Sequence, residues 1–192
     1  MELLELIRRR RSIRRYQDRP VPREVLETIL EAGSFAPNAG GGQRTLLYGI
    51  RDPQLLKRLG QLNAACMDRS NLAGSHVSRE QPSLIDDVTI KSGFYGAPCV
   101  CVVFSQRNFL YGIPDAFCCA ENMVLMAGEL GVSSCIVARA EETFATELGA
   151  ELRRRWQVPD HYEPRCFVLL GYCDGDYPMP KPRREGRIHI ID

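Results

Sequence analysis

Residues Ala97–Phe104 have the sequence APCVCVVF, a nearly unbroken apolar run that follows Gly96. A strand with one face in water alternates apolar and polar residues, whereas a strand covered on both faces is apolar throughout. The length of this run is typical of a strand rather than of a buried helix. We therefore expect Ala97–Phe104 to be a central strand that is covered on both faces.

Amphipathic patterns surround this run on both sides in the sequence. Helices are predicted within 3–11, 22–33, 53–67, 114–131 and 148–156, and further strands at 45–50, 135–138 and 165–172. Pro22 and Pro114 stand where helices begin, and Gly33 and Gly131 stand where they end. Helices around one small sheet indicate an α+β fold. No repeat or linker divides the chain, so residues 1–192 are expected to form a single domain.

The charge balance excludes several functions that depend on a strong overall field. The 25 lysines and arginines are offset by 24 aspartates and glutamates, so neither nucleic acid nor an anionic membrane is expected as a partner. Glu2 and Glu5 interrupt the apolar start that a secretory signal needs, and no run reaches the roughly 20 apolar residues of a membrane span. We therefore expect a cytoplasmic protein without a membrane partner.

The eight cysteines indicate neither a metal site nor a disulfide framework. None forms a C-x-x-C pair, and the three histidines are scattered along the chain. Most of the cysteines lie in apolar runs, which favours reduced thiols used as small core residues. No metal ligands are expected.

Two segments lack the pattern of a core element. Residues 66–92 are polar and are predicted to form a lid or excursion, in which the adjacent Asp86 and Asp87 are expected to be solvated. Residues 175–192 contain several prolines and end in the strand-like sequence RIHIID, which is typical of an extended C-terminal arm.

Basic clusters occur near both ends of the chain. One comprises Arg10, Arg11, Ser12 and Arg14, and the other comprises Lys181 and Arg183. Guanidinium, ammonium and hydroxyl groups are the donors that a phosphate dianion prefers. Because charge runs usually only solvate a surface, the clusters alone leave both interpretations open.

Six motifs in order along about 180 residues resemble the FMN-dependent nitroreductase family. They are RRSIRRY at 10–16, APNAGGGQ at 36–43, GAPCV at 96–100, Glu121-Asn122 with LGVSSC at 130–135, GY at 171–172, and KPRR at 181–184. The resemblance implies helices packed around a small central mixed sheet, and an intertwined homodimer that binds FMN at its interface. It also implies that the C-terminal arm, from about Ile188, joins the sheet of the partner subunit.

The resemblance assigns roles to individual positions. Arg10, Ser12, Lys181 and Arg183 would hold the FMN phosphate with Arg11 beside them, while Arg14 would face the pyrimidine edge of the flavin. Pro37, Asn38 and Ala39 would reach over the flavin of the other subunit, although Gly41, Arg44 and Thr45 depart from the common pattern of this loop. Around Ala138, a main-chain amide would meet flavin N5.

The activity implied is hydride transfer from NADH or NADPH to FMN, followed by reduction of an electron-poor small-molecule acceptor in a ping-pong mechanism. No catalytic side chain is expected, because such chemistry depends on alignment and on the cofactor. Two alternatives stay open. One is a protein of the same fold that binds FMN without turnover or acts on the flavin itself. The other is a nucleic-acid-binding module that uses the N-terminal arginines.

Overall fold

The computed structural model describes residues 2–68, 70 and 76–192. Residues 69 and 71–75 of the predicted excursion 66–92 lie outside the described residues. In the described residues the helices are α1 Leu3–Arg9, α2 Arg23–Ser34, α3 Pro53–Ala65, α4 Gly112–Glu129, α5 Ala140–Phe144 and α6 Glu147–Arg155. The strands are β1 Thr45–Ile50, β2 Cys99–Gln106, β3 Ser133–Val137 and β4 Tyr162–Gly171. The predicted α+β class is confirmed, and α5 is an addition that the sequence patterns did not predict.

The four strands are arranged in the order β1-β2-β4-β3, and every pairing between them is antiparallel. The expectation of a mixed sheet is therefore corrected. Helix α4 connects β2 to β3, which run in the same direction, but β4 lies between them and runs the opposite way. The one parallel contact in the described part of the chain is an isolated bridge between Ser12 and Ser134.

Strand β2 is covered on both faces, as its apolar sequence predicts. Alternate residues Cys99, Cys101 and Val103 belong to one core cluster together with side chains of α2 and α4. The intervening residues, Val100, Val102 and Phe104, belong to a second cluster with side chains of α3, α5 and α6. The sheet is thus the middle of three layers, and apolar burial on both faces stabilises it.

Most of the cysteines are small core residues. All eight are free thiols, and five of them are buried: Cys99, Cys101, Cys119, Cys135 and Cys166. Burial raises the pKa of Cys166 to about 12, so this thiol stays protonated at neutral pH. In residues 2–68, 70 and 76–192 no cluster of potential metal ligands occurs. No helix in the same residues is long and apolar enough to cross a membrane.

Apolar side chains remain exposed at both ends of the chain. On α1 only Leu6 is buried, packing against Gly128 of α4, while Leu3 and Leu4 are 63% and 56% exposed. In the C-terminal arm Ile188 and Ile191 are about nine-tenths exposed. Because contiguous exposed apolar side chains mark interaction surfaces, both ends of the chain are candidates for contact with another protein surface.

Candidate functional site

Residues from the two ends of the chain line one cavity of about 240 Å³. The N-terminal cluster reaches it because the segment after α1 runs alongside β3, where the Ile13 N–H donates to the Ser134 carbonyl at 2.9 Å. The C-terminal arm reaches it because the Tyr177 hydroxyl accepts from the Arg11 N–H at 3.0 Å. Six of the ten predicted site residues thus lie together: Arg10, Arg11, Ser12, Arg14, Lys181 and Arg183.

This cavity, which we call the basic cavity, is strongly cationic. Five of its lining side chains are basic, and of the described residues that line it only Glu80 carries a carboxylate. Partial burial, followed by the positive charges of Arg183 and Arg10, lowers the pKa of Arg11. The Nε atom of Arg11 is buried and has no hydrogen-bond partner in the described chain. An anion in the cavity would relieve both the repulsion between cations and this unmet donor.

The segment 76–87, part of the predicted excursion, forms a wall of the basic cavity and is bonded to both basic clusters. Gln81, only 3% exposed, accepts from the Arg14 N–H through Oε1 at 2.6 Å. The main-chain carbonyl of Gln81 accepts from Arg14 Nη1 at 3.3 Å. On the other side, Lys181 Nζ donates to the Val77 carbonyl at 2.7 Å. The segment therefore orients the Arg14 side chain.

Asp86 holds the segment 76–87 together from within. Its side chain is 5% exposed and accepts from the Val77 N–H at 2.6 Å, from the Ser83 N–H at 2.8 Å and from His76 Nδ1 at 2.9 Å. The expectation that Asp86 is solvated is wrong, because main-chain donors replace its water. Asp87, by contrast, is half-buried and within the described chain accepts only from Thr89, from its N–H at 2.8 Å and its hydroxyl at 2.6 Å.

Burial alone would raise the pKa of Asp86, but the hydrogen bonds from Val77 and Ser83 outweigh it and lower the pKa well below the usual value. A carboxyl whose pKa is lower in the folded state stabilises the fold above its unfolded pKa of about 3.9, and this contribution is lost as the pH falls towards the folded pKa.

We therefore expect Asp86→Asn to lower the free energy of unfolding by about 1–3 kcal/mol at pH 7, because the amide accepts fewer charge-assisted hydrogen bonds. Denaturant unfolding at pH 7 and pH 3 measures this effect, and the difference from the wild type should shrink at pH 3. Asp87→Asn is the matched control, with a much smaller effect. An equal difference at both pH values would contradict the structural role of the Asp86 charge.

A second cavity of about 160 Å³, which we call the loop cavity, adjoins the basic cavity and shares Arg14 and Val77 with it. The end of β3 and the following loop line it, including the predicted site residue Ala138. Tyr95 faces Arg14 there, with 5.9 Å between the ring centroid and the guanidinium carbon. Since Arg14 borders both cavities, a single ligand that occupies both would pass beside its guanidinium.

Pro37, Asn38 and Ala39 line neither cavity of the single chain. Their loop is held against the start of α4, where Asp115 Oδ1 accepts from the Ala39 N–H at 3.1 Å. Arg44 Nη1 donates to the Ala39 carbonyl at 3.1 Å. The loop is thus held in place by hydrogen bonds within its own chain.

Sequence reasoning missed Gln81 as a site residue. Its side chain acts on residues more than 60 positions earlier in the chain, and it lies in a polar segment without periodicity. The only local signal is the adjacent Pro82, which predicts an irregular segment but not its contacts.

Comparisons with known proteins agree with this architecture. A family model described as "Nitroreductase family" matches residues 7–172. The crystal structure of a nitroreductase with bound FMN from Bacteroides fragilis has a TM-score of 0.81 at 25% identity, with 100% of both chains covered. A second FMN-bound nitroreductase, from Desulfitobacterium hafniense, has a TM-score of 0.80 at 24% identity, with coverage of 100% of this chain and 99% of that one. An NADPH-dependent oxidoreductase of Staphylococcus epidermidis is 24% identical over 184 residues, which span 93% of this chain and 68% of that protein.

Proposed function

Because this chain belongs to the nitroreductase family, we propose that it is an FMN-dependent oxidoreductase that uses NADH or NADPH to reduce an electron-poor small molecule. The observation that carries this proposal is the convergence of the two basic clusters on one cavity, although they are about 170 residues apart in the sequence. Relatives with FMN in their crystal structures and a relative named as an NADPH-dependent oxidoreductase support the same chemistry.

The residues of the basic cavity fit the phosphate of FMN. Arg10, Arg11, Lys181 and Arg183 supply cationic donors, and Ser12 adds a hydroxyl at the same wall. The unpartnered Nε of Arg11 gives a phosphate oxygen a donor that no group of the protein uses. Charge-assisted hydrogen bonds of this kind contribute about 1.5–3 kcal/mol each, which is ample for tight cofactor binding.

The loop cavity fits the flavin ring, because it adjoins the phosphate donors and contains no acidic lining residue. When bound, FMN supplies a ring that accepts and donates hydride at N5. Arg14, fixed by Gln81, places a positive charge beside the ring and favours the accumulation of negative charge there on reduction. Ala138 and Arg139 also line this cavity.

We propose no side chain as a general acid or base. Hydride transfer depends chiefly on the alignment of the donor carbon with N5, which the walls of the loop cavity would supply. The reduced nicotinamide and the acceptor would occupy the same space in turn, which gives a ping-pong mechanism. Conjugated acceptors such as nitroaromatics and quinones are the expected substrate class.

We further propose that the protein is a homodimer in which Pro37, Asn38 and Ala39 approach the flavin of the partner subunit. The exposed apolar residues of α1 and of the C-terminal arm are the surfaces that association would bury. Isoleucines that are nine-tenths exposed, as in the arm, are costly to leave in water, and pairing with a partner would also satisfy the arm's main-chain groups.

Deleting residues 188–192 is therefore expected to weaken dimerisation at least tenfold, because the deletion removes three exposed isoleucines worth about 1.5 kcal/mol or more each when buried. Sedimentation velocity at micromolar concentrations measures the shift towards monomer. A full-length protein that is already monomeric at those concentrations would contradict the dimer.

The redox activity is tested by purification followed by anaerobic mixing with NADH and with NADPH. The expected result is a yellow protein that bleaches with at least one nicotinamide, and steady-state rates that give parallel double-reciprocal lines. A yellow protein that neither nicotinamide bleaches would favour the alternative of flavin binding without turnover. A colourless protein that does not bind added FMN would refute the proposal. The nucleic-acid alternative is disfavoured, because the chain matches the nitroreductase family over residues 7–172.

A further inference from the structure

Asn63 is a fully buried polar residue of α3 that the proposed function does not yet use. Its surroundings are tightly packed. If Gly93 were replaced by a residue with a side chain, the added Cβ atom would lie 2.0 Å from Asn63 Oδ1. A buried carboxamide must find partners for both its donors and its acceptor. Those partners lie in the loop between β3 and α5, more than 70 residues further along the chain.

The bonds between Asn63 and this loop run in both directions. Asn63 Nδ2 donates to the Ala138 carbonyl at 2.9 Å and to Thr143 Oγ1 at 3.1 Å. Arg139 donates in return, from Nε to the Asn63 carbonyl at 3.2 Å and from Nη2 to Asn63 Oδ1 at 2.9 Å. Every polar atom of the Asn63 side chain is thereby used to hold the loop.

The loop has an unusual main-chain conformation at this point. Arg139 has a φ of 64°, in the left-handed region that non-glycine residues rarely adopt. The Arg139 carbonyl is itself bonded, accepting from Thr143 Oγ1 at 2.6 Å. Residues in such conformations persist only where their surroundings fix them, and Asn63 and Thr143 supply that constraint.

The orientation of one peptide unit follows from these bonds. In a trans peptide the carbonyl and the following N–H point in opposite directions, and the peptide bonds of the described chain are trans. Since the Ala138 carbonyl points to Asn63, the Arg139 N–H points away from α3. Ala138 and Arg139 line the loop cavity and Asn63 does not, so this N–H is directed to the cavity side.

We propose that Asn63 is a positioning residue for the flavin, which fixes the peptide unit between Ala138 and Arg139 so that the Arg139 N–H donates to flavin N5. This inference rests on the proposed function, since it requires FMN in the loop cavity. A donor at N5 stabilises the oxidised ring, whose N5 is an acceptor, over the reduced ring, whose N5 carries hydrogen. Asn63 would thereby influence the reduction potential without touching the cofactor.

The direct test is NMR on the protein loaded with ¹⁵N-labelled FMN. We expect a coupling through the hydrogen bond between N5 and the ¹⁵N amide of Arg139. Asn63→Leu keeps the approximate size of the side chain and adds no charge, but removes both the donor to the Ala138 carbonyl and the acceptor for Arg139. In this variant we expect the coupling to be lost and the midpoint potential of the flavin to rise, while FMN still binds through the basic cavity.

Asn122→Leu is the matched control, because Asn122 Nδ2 makes a comparable bond, to the Ala32 carbonyl at 3.0 Å, between α4 and α2. It should leave the coupling and the potential unchanged. Coupling of N5 to an amide other than that of Arg139, or equal potentials for the wild type and Asn63→Leu, would overturn the inference while FMN binding stands. An apoprotein that binds no FMN would remove the proposed function together with this inference. Where Asn63→Leu fails to fold, Asn63→Gln, which displaces the same amide groups by one methylene, should still weaken the coupling, and an unchanged coupling in that variant would overturn the inference.

Discussion

Arg183→Ala is expected to weaken FMN binding about 10- to 150-fold, which corresponds to the loss of one charge-assisted contact worth about 1.5–3 kcal/mol. Arg183 lines the basic cavity and is close enough to Arg11 to lower the pKa of that guanidinium. Without a ligand the two cations repel each other, so the arrangement is favourable only when an anion lies between them. If the cavity holds the FMN phosphate as proposed, removing Arg183 removes a contact that the bound state would use and the free state would not.

Fluorescence titration of the apoprotein with FMN measures this effect. Arg184→Ala is a close control, because the neighbouring residue carries the same charge on the same arm but does not line the basic cavity. We expect Arg184→Ala to bind FMN within about twofold of the wild type, since exposed charges at a distance are screened by salt. Equal affinities for Arg183→Ala and Arg184→Ala would mean that the arm contributes only general charge.

Arg165→Met is expected to lower the free energy of unfolding by about 3 kcal/mol. The side chain of Arg165 is 8% exposed, and its Nε donates to the hydroxyl of the buried Ser105 at 2.9 Å. Nη1 pairs with Glu163 at 3.0 Å and with Glu141 of α5. Methionine can fill the space but cannot donate to the Ser105 hydroxyl or pair with Glu141, so the contact that ties α5 to β4 is lost.

Denaturant unfolding monitored by circular dichroism measures the effect of Arg165→Met. Arg107→Met is the control, because Arg107 pairs with the same Glu163 at 2.7 Å while its own side chain is 48% exposed. Surface ion pairs contribute about 0–1 kcal/mol, so this control should lose much less stability. A similar small loss for both variants would show that the Arg165 network does not hold α5 to the sheet.

The sequence predicted the parts of the fold whose signals are local. The apolar run at Ala97–Phe104 predicts the doubly covered strand β2, and the spacing of apolar residues predicts the helices on either side. The relative direction of the strands could not be predicted from such local patterns, because it depends on how the chain crosses the sheet. The insertion of β4 between β2 and β3 makes the sheet antiparallel, and no local pattern encodes that insertion.

The sequence predicted those parts of the candidate site whose residues form recognisable charged clusters. Cationic clusters at Arg10 and Lys181 are visible in the sequence, and the family resemblance predicted their convergence on one cavity. Gln81, Asp86 and Asn63 were not recognised, because each bonds main-chain groups that any residue could supply. The fold, and not the residue type, brings these partners together, so the three residues can be recognised only in the folded structure.

The affinities of the apoprotein for FMN and for riboflavin test whether the basic cavity recognises a phosphate. The two ligands differ only in that group. Several charge-assisted contacts at about 1.5–3 kcal/mol each should make FMN bind more than about 100-fold more tightly than riboflavin. The preference should also fall in Arg183→Ala, since the lost contact serves FMN alone. Equal affinities for FMN and riboflavin would contradict the assignment of the basic cavity to the cofactor phosphate.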